Sequence, residues 1–334
     1  MDTYQELIAH LKKDRPVLLV TEGKEKKVKH ELMFPGKIMS EAAQEVWETK
    51  ELVWQEEAEN WVKAEVFYPP VTLFLLGGGH ISHSLAQIAD LIGLPVVVIE
   101  DRPEFANEER FPNAEVICQD FLTALSSIRL NPSSFVVVAT RGHRYDQDCL
   151  EFLLKKKLAY IGMVGSKRRV RGLKRNLEEL GITTEQLEKL HSPIGLDIKA
   201  KSPAEIAVSI IAEIIQEKRT IFPAEEADLE VFKKIEALYH IGEKAVLATI
   251  VQTKGSSPRK AGARMLVFPD GKVVGTIGGG CGEAEVKREA LNVYYDGNAA
   301  IYQLDMTAEA AAEDGMACGG IMKVLLEPVG VLGK

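Results

Sequence analysis

Residues Val71–Arg102 read VTLFLLGGGHISHSLAQIADLIGLPVVVIEDR, and this stretch decides the fold. "VTLFLL" is an apolar run of strand length, stopped by Gly77, Gly78 and Gly79. "HSLAQIADLIG" carries its apolar residues at helical spacing, and "PVVVIEDR" is a second buried strand. In such a strand, glycine turn, helix and strand, the backbone at Gly77 and Gly79 can approach a phosphate while the helix start presents its N–H groups. Ser82 stands at the third glycine position of the dinucleotide fingerprint. Glu100 and Asp101 end the second strand, and Asp101 is the expected partner of a ribose hydroxyl. Tight strand-to-helix turns need glycine with or without a ligand, so a bound nucleotide such as NAD(P) stays open at this point. His80 and His83 lie one turn apart with no acidic cluster beside them, a weak metal signal. His80 is expected to hydrogen-bond a ligand or a loop.

Three more strands follow downstream, in "AEVICQD", "SSFVVVATRG" and "LAYIGMVGS", with helices between them. This alternation predicts an α/β domain over residues 69–218 built on a doubly wound, Rossmann-like parallel sheet. "SPAEIAVSIIAEIIQEKRT" closes it as a helix with Ser202 as N-cap, Pro203 in its first turn and Glu205 completing a capping box. "GSKRRVRGLKRN" sets Ser166, Lys167, Arg168 and Arg169 at a helix start after the fifth strand. A charge run is commonly a solvated face, but this one begins at the carboxyl end of a strand, where such sheets bind ligands and where arginine suits a phosphate. "TRGHRYD" is expected to line the same crevice.

After the linker "IFPAEEADLE", residues 228–330 read as a smaller α+β domain rich in glycine. Its "RMLVFPDGKVV" parallels "HELMFPGKIM" near the start of the chain, so residues 1–68 are expected to be a shortened, degenerate copy of it. Two unrelated α+β units sharing a common hairpin are the alternative. The C-terminal domain places Cys281 after Gly278, Gly279 and Gly280 and before a helix, whose N-terminal field lowers a thiol pKa. Glu283 and Glu285 oppose that effect, Arg259 and Lys260 are the cations available to offset them, and the balance stays open at this point. Cys318 lies in "GMACGG", again beside glycines. Cys118 and Cys149 sit in apolar stretches and are expected to be buried and inert.

A net charge of -8 over 334 residues argues against a nucleic-acid or anionic-membrane binder. No apolar run approaches membrane-spanning length and the N-terminus lacks a signal-peptide pattern, so a cytoplasmic protein is expected. Four cysteines without C-x-x-C spacing fit neither a disulfide scaffold nor a zinc site.

Taken together, "VLATIVQTKGSSPRKAGARMLVFPDGKVVGTIGGGCGEAEV", "GMACGG", "LFLLGGGHISHSLAQIA" and "HSPIGLDIKAKSPAEIAVSIIAEII" resemble the XdhC/CoxI family of accessory proteins for molybdenum hydroxylases. The resemblance runs from about Pro70 to Pro328. In one respect it departs from the family, where the cysteine-bearing domain usually comes first. The resemblance implies a factor that binds molybdenum cofactor (molybdopterin), assists its sulfuration together with a cysteine desulfurase, and delivers it to a xanthine dehydrogenase-type hydroxylase. It makes Cys281 the leading thiol and candidate molybdenum-cofactor ligand, and Cys318 the second. Two rivals remain at this stage. One is an NAD(P)- or FAD-dependent oxidoreductase using Gly77, Gly79 and Asp101, with Cys281 as catalytic thiol. The other is a non-catalytic scaffold recruiting the hydroxylase. A repeat within one chain also raises a homodimeric ancestry and a homodimer as a partner reading.

Overall fold

The computed structural model describes residues 3–24, 27–34, 40–58, 60–222, 229–305 and 320–330, with the side chains of His143, Leu229 and Cys281 outside that description. The chain is mixed α/β and divides into two compact units, one of residues Val71–Ile221 and one of Met1–Pro70 with Phe222–Lys334.

In chain order, the N-terminal part of the second unit carries α1 (Thr3–Leu11), β1 (Val17–Lys24), β2 (Lys27–Met33), α2 (Glu41–Thr49), β3 (Val53–Glu57) and β4 (Asn60–Phe67). The inserted unit carries β5 (Thr72–Leu76), α3 (His80–Leu91), β6 (Val96–Glu100), β7 (Glu115–Cys118), α4 (Phe121–Ser127), β8 (Ser134–Val138) and α5 (His143–Leu153). It continues through β9 (Tyr160–Met163), α6 (Lys167–Glu179), α7 (Thr184–Glu188), β10 (Leu190–His191) and α8 (Pro203–Ile221). The C-terminal part adds α9 (Leu229–Ile241), β11 (Lys244–Gly255), β12 (Arg264–Val267), β13 (Val273–Gly275), α10 (Gly280–Asp296), β14 (Ala300–Asp305) and β15 (Gly320–Gly330).

The inserted unit is a parallel six-stranded sheet of order β10-β9-β8-β5-β6-β7. Its central strands are buried on both faces, as parallel strands flanked by helices must be. Phe74, Leu76, Val97, Val136 and Ile161 face Phe121, Leu150, Leu153, Val170 and Leu177 from the helices on one side. The alternate residues Leu73, Leu75 and Val137 are as deeply buried on the other side, where α3 and α8 pack on each other. Fully burying each such side chain, on strand or helix, is worth about 1.5–3 kcal/mol. The capping box of α8 is present, with Ser202 Oγ accepting from Glu205 N at 3.2 Å and Ser202 N donating to Glu205 Oε2 at 2.9 Å. The two-residue strand β10 leaves no alternation to read, which is why the sequence does not announce it. Cys149 is buried as expected, but Cys118 is exposed, because β7 is the edge strand of the sheet and only half covered.

The other unit holds two antiparallel sheets, of order β2-β1-β4-β3 and β13-β12-β11-β15-β14. Each follows a helix, and in each a second helix, α2 or α10, precedes the last two strands. Corresponding registers match. Leu19 faces Glu65 and Leu247 faces Glu327, while the buried Thr21 faces His30 and the buried Thr249 faces Arg264. The two sheets share one core, in which Tyr4, Leu7, Val17, Leu19 and Phe67 meet Val231, Ile235, Leu247, Leu266 and Val329. Across it run reciprocal charge contacts. Glu65 pairs with Arg264, and Glu327 lies 3.0 Å from Lys63 and 3.6 Å from His30. Among the described residues no helix is long and apolar enough to cross a membrane.

Candidate functional site

In the parallel sheet the chain moves outward from β5 in one direction through β6 and β7 and in the other through β8, β9 and β10. The order reverses between β5 and β8, so their carboxyl-end loops, residues 77–79 and 139–142, form the crevice where doubly wound sheets take ligands. Gly77 has φ of +114°, and a Cβ there would collide with the Ala139 carbonyl oxygen, so the meeting of these two loops requires glycine. Gly79 differs from it. Its φ of -69° is open to any residue, and a Cβ there would meet nothing within 4 Å. As N-cap of α3 it offers no side-chain acceptor, which leaves the first-turn N–H groups of that helix available. His80 follows as an exposed residue, and the hydroxyl of Ser82 is buried with no hydrogen-bond partner among the described residues.

The acidic end of β6 is arranged differently from the expectation for a ribose site. Glu100 is buried and receives Gly78 N at 2.9 Å, while Arg102 grips both its oxygens at 2.9 and 3.0 Å. Asp101 is held by both terminal nitrogens of Arg141, which also donates to Tyr145 Oη at 2.9 Å. The Arg141 hydrogen bonds hold the Asp101 carboxyl below its ordinary range. Arg110 adds a third guanidinium, donating to the Gly78 carbonyl at 3.2 Å. Three arginines line this rim beside Glu100 and Asp101, each of which already has a charged partner, and Glu104 acts on Arg102 as a third carboxylate.

After β9, Ser166 caps α6 by accepting from Arg169 N at 3.3 Å. Lys167 and Arg168 are exposed at the helix start, where cations and free N–H groups favour an anion. Arg169 turns inward instead, onto the buried Asp146, which also receives Thr140 Oγ1 at 2.6 Å. Partial burial lowers the Arg169 pKa, and its role is to tie α6 to the β8 loop through Asp146 and Thr140. Of the three basic residues singled out in the sequence, two face solvent and one is internal. Arg141 belongs to the "TRGHRYD" stretch expected to line this crevice, whereas Arg102 and Arg110 carry no such expectation. Arg102 lies just past the end of β6 and Arg110 in the long loop before β7, positions that matter only once the strand order is known.

In the other unit, the turn from β13 into α10 is made of glycines with left-handed backbone, φ +130°, +73° and +71° at Gly278, Gly279 and Gly280. Three such residues in succession exclude side chains on steric grounds. A Cβ on Gly278 would also strike Pro258, so the "GSSPR" loop lies directly against the turn and brings Arg259 beside it. Glu283 reaches back to fix the turn, accepting from Thr276 Oγ1 at 2.6 Å, Gly279 N at 3.0 Å and Ile277 N at 3.3 Å. Its carboxylate is thereby engaged with the turn's own donors. Cys281 is the second residue of the 17-residue helix α10, in its first turn. Cys318 lies outside the described residues. Among the described residues no group of three or more His, Cys, Asp or Glu side chains could hold a metal ion.

Comparison with known proteins agrees with both halves of this description. The profile described as the XdhC Rossmann domain matches residues 73–214, and that of the XdhC and CoxI family matches residues 238–305. Together they cover well over half of the chain. The chain is 35% identical over 148 residues to the uncharacterized protein YqeB of Escherichia coli, covering 44% of this chain and 27% of that one. It is 34% identical over 154 residues to a probable xanthine dehydrogenase subunit of Bacillus subtilis, covering 46% and 44%. A stretch of 63 residues is 43% identical to the molybdenum cofactor insertion chaperone PaoD of Escherichia coli, covering 19% and 20%. These matches span less than half the length of each relative. A crystal structure of a xanthine dehydrogenase from Bacillus halodurans matches at 28% identity and a TM-score of 0.52, covering 65% of this chain and 66% of that one.

Proposed function

This chain belongs to the XdhC/CoxI family, and from that premise we propose that it is a cytoplasmic maturation factor that carries molybdenum cofactor as cargo. It assists sulfuration of that cargo with a cysteine desulfurase and delivers it to a xanthine dehydrogenase-type molybdenum hydroxylase. The names of two relatives, one a molybdenum cofactor insertion chaperone and the other a probable subunit of xanthine dehydrogenase, support this reading. The observation that carries it is the turn before α10. Three consecutive left-handed glycines are an expensive way to start a helix unless something must come close to the residue that follows, and that residue is Cys281. A soft thiolate suits molybdenum or persulfide sulfur. The carboxyl edge of the parallel sheet, with Lys167 and Arg168 exposed at the start of α6 and Gly79 at the start of α3, suits the cargo's phosphate.

Residues 1–68 are, in this reading, a degenerate copy of the C-terminal domain. The shared strand order and the matched registers of Glu65 and Glu327 support it. The copy would supply the partner face that a second protomer provides in a symmetric pair. Use of NAD(P) as a resident cofactor is disfavoured by the arginines already seated on Glu100 and Asp101.

The test is anaerobic purification followed by molybdenum and pterin analysis of wild type, Cys281→Ala and Cys318→Ala. Cys281→Ala is expected to lose most retained molybdenum with an unchanged circular dichroism spectrum. Full retention by that variant would overturn the assignment of the thiol.

A further inference from the structure

Helix α8 carries apolar side chains on two faces. Ala207, Ile210, Ile211 and Ile214 are buried against the rest of the inserted unit, as the inner face of a packed helix requires. The outer face of such a helix is ordinarily polar, but here Val208 is 48% and Ile215 40% exposed, with Ala204 exposed and Ala212 half-buried in line with them. Residues 204, 208, 212 and 215 stand at i, i+4, i+8 and i+11, which sets them in one stripe along the helix. Scattered exposed apolar residues need no explanation, whereas an aligned row marks a contact surface. Val208 and Ile215 are also β-branched, a poorer choice for a solvated helix position than a straight-chain residue. The loop before the helix widens the patch with Leu196 and Ile198, 37% and 49% exposed. Leu196 N donates to Ser209 O at 3.2 Å, which fixes that loop against the first half of α8.

The charges at the two ends of the stripe say what covers it. Its amino end carries Glu205 and its carboxyl end Arg219, both exposed, and neither forms an ion pair with another described residue. Glu205 caps the helix through Oε2 alone. Laid antiparallel about a two-fold axis between Ile211 and Ala212, two copies of α8 bring Val208 of one level with Ile215 of the other. The same axis brings each Glu205 within one residue of the other copy's Arg219, so opposite charges meet at both ends. Ala212, small and beside the axis, lets the two helices come close. Parallel pairing would instead set Glu205 against Glu205 and Arg219 against Arg219. A uniformly anionic partner, such as nucleic acid or an acidic membrane, would meet Glu205 as well as Arg219.

We propose that the outer face of α8 is a self-association surface, on which a second copy of this chain lays its own α8 antiparallel, with Val208 against Ile215 and Glu205 against Arg219. The interface is isologous, so the same patch serves both copies and the pair closes on itself. It belongs to the inserted unit, apart from the core shared by the two antiparallel sheets, and it does not depend on what cargo the protein carries.

The experiment is sedimentation velocity on the full chain over a wide concentration range, joined to cysteine cross-linking. Wild type is expected to form a concentration-dependent dimer. Val208→Glu with Ile215→Glu should raise the dimer dissociation constant at least about tenfold with circular dichroism and Tm unchanged, since both side chains already face solvent. Arg219→Glu should weaken the dimer too, and more at low salt than at high salt. Disulfide formation under mild oxidation reads the register, with wild type as the blank and the bonded peptides identified by mass mapping. Ala212→Cys should join its counterpart beside the axis, Val208→Cys alone should not, and Val208→Cys with Ile215→Cys should. If the double glutamate variant fails to fold, the cross-linking pattern decides by itself. A monomer at every concentration, a dimer indifferent to the two glutamates, or cross-linking by Val208→Cys alone would overturn the proposal. A monomeric wild type whose binding to purified apo-hydroxylase is lost with the same two glutamates would also overturn it, and would assign the face to that partner. None of these readouts involves molybdenum retention by Cys281.

Discussion

Replacing Arg264 with leucine removes the cation that faces Glu65 across the shared core of the two antiparallel sheets. Both side chains are 2% exposed, and Glu65 Oε2 already has no hydrogen-bond partner among the described residues. Arg264 also sits over the rings of Phe67 and Phe232, at 5.0 and 5.7 Å from their centroids, so packing is lost together with charge. Removing one partner of a buried pair costs about 3–5 kcal/mol, because the surviving charge is left uncompensated. For a unit of roughly 150–250 residues that corresponds to a fall in Tm of about 6–20 °C. All three tryptophans, Trp47, Trp54 and Trp61, lie in the N-terminal part of this unit, so urea unfolding followed by their fluorescence reports on it directly. The paired replacement Glu65→Leu with Arg264→Leu should recover most of the loss, since two apolar side chains of suitable size can replace a buried ion pair at little net cost. The reasoning is refuted if Arg264→Leu costs less than about 1 kcal/mol, within the range of an exposed pair, or if the double variant is no better than the single one.

Gly77 and Gly79 should separate structural from ligand demands: Gly77→Ala is expected to destabilise by about 1–3 kcal/mol, having both a left-handed φ and a backbone collision. Gly79→Ala, with open space and an ordinary φ, should leave the melting curve within about 0.5 kcal/mol of wild type while weakening cargo retention, and equal destabilisation by both would contradict the distinction. Burial pushes the Cys149 thiol up to about 12, so iodoacetamide at pH 8 should label Cys118 on the exposed edge strand and leave Cys149 unmodified in the native protein, as read by peptide mass mapping. Labelling of Cys149 at a rate comparable to Cys118 would show that the core around α5 opens.

The inserted parallel sheet was legible in the sequence because its signals are local. Apolar runs such as "LFLLG" and "FVVVA" end at glycines, helices carry caps such as Ser202 with Glu205, and these repeat in strict alternation. The glycine turn before Cys281 was legible for the same reason, since a run of left-handed residues can be written only with glycine. The use of the polar residues was not legible. Arg169 belongs to a charge run that reads either as a solvated face or as a phosphate-binding edge, but it turns inward to Asp146, whereas Lys167 and Arg168 do not. Asp101 stood where a ribose partner was expected, and a guanidinium brought in from the end of β8 holds it. Glu213 looked like one polar residue of an amphipathic helix until β9 and β10 placed a tyrosine and a histidine on it. The pairing of Glu65 with Arg264 joins residues 199 positions apart. Periodicity and turn chemistry act over one or two turns of chain, and so the sequence alone determined which elements form and where they stop. Charge pairing acts over a few ångströms of space between strands distant in sequence, and only the tertiary structure decided which of the polar groups hold the fold and which remain open to a ligand.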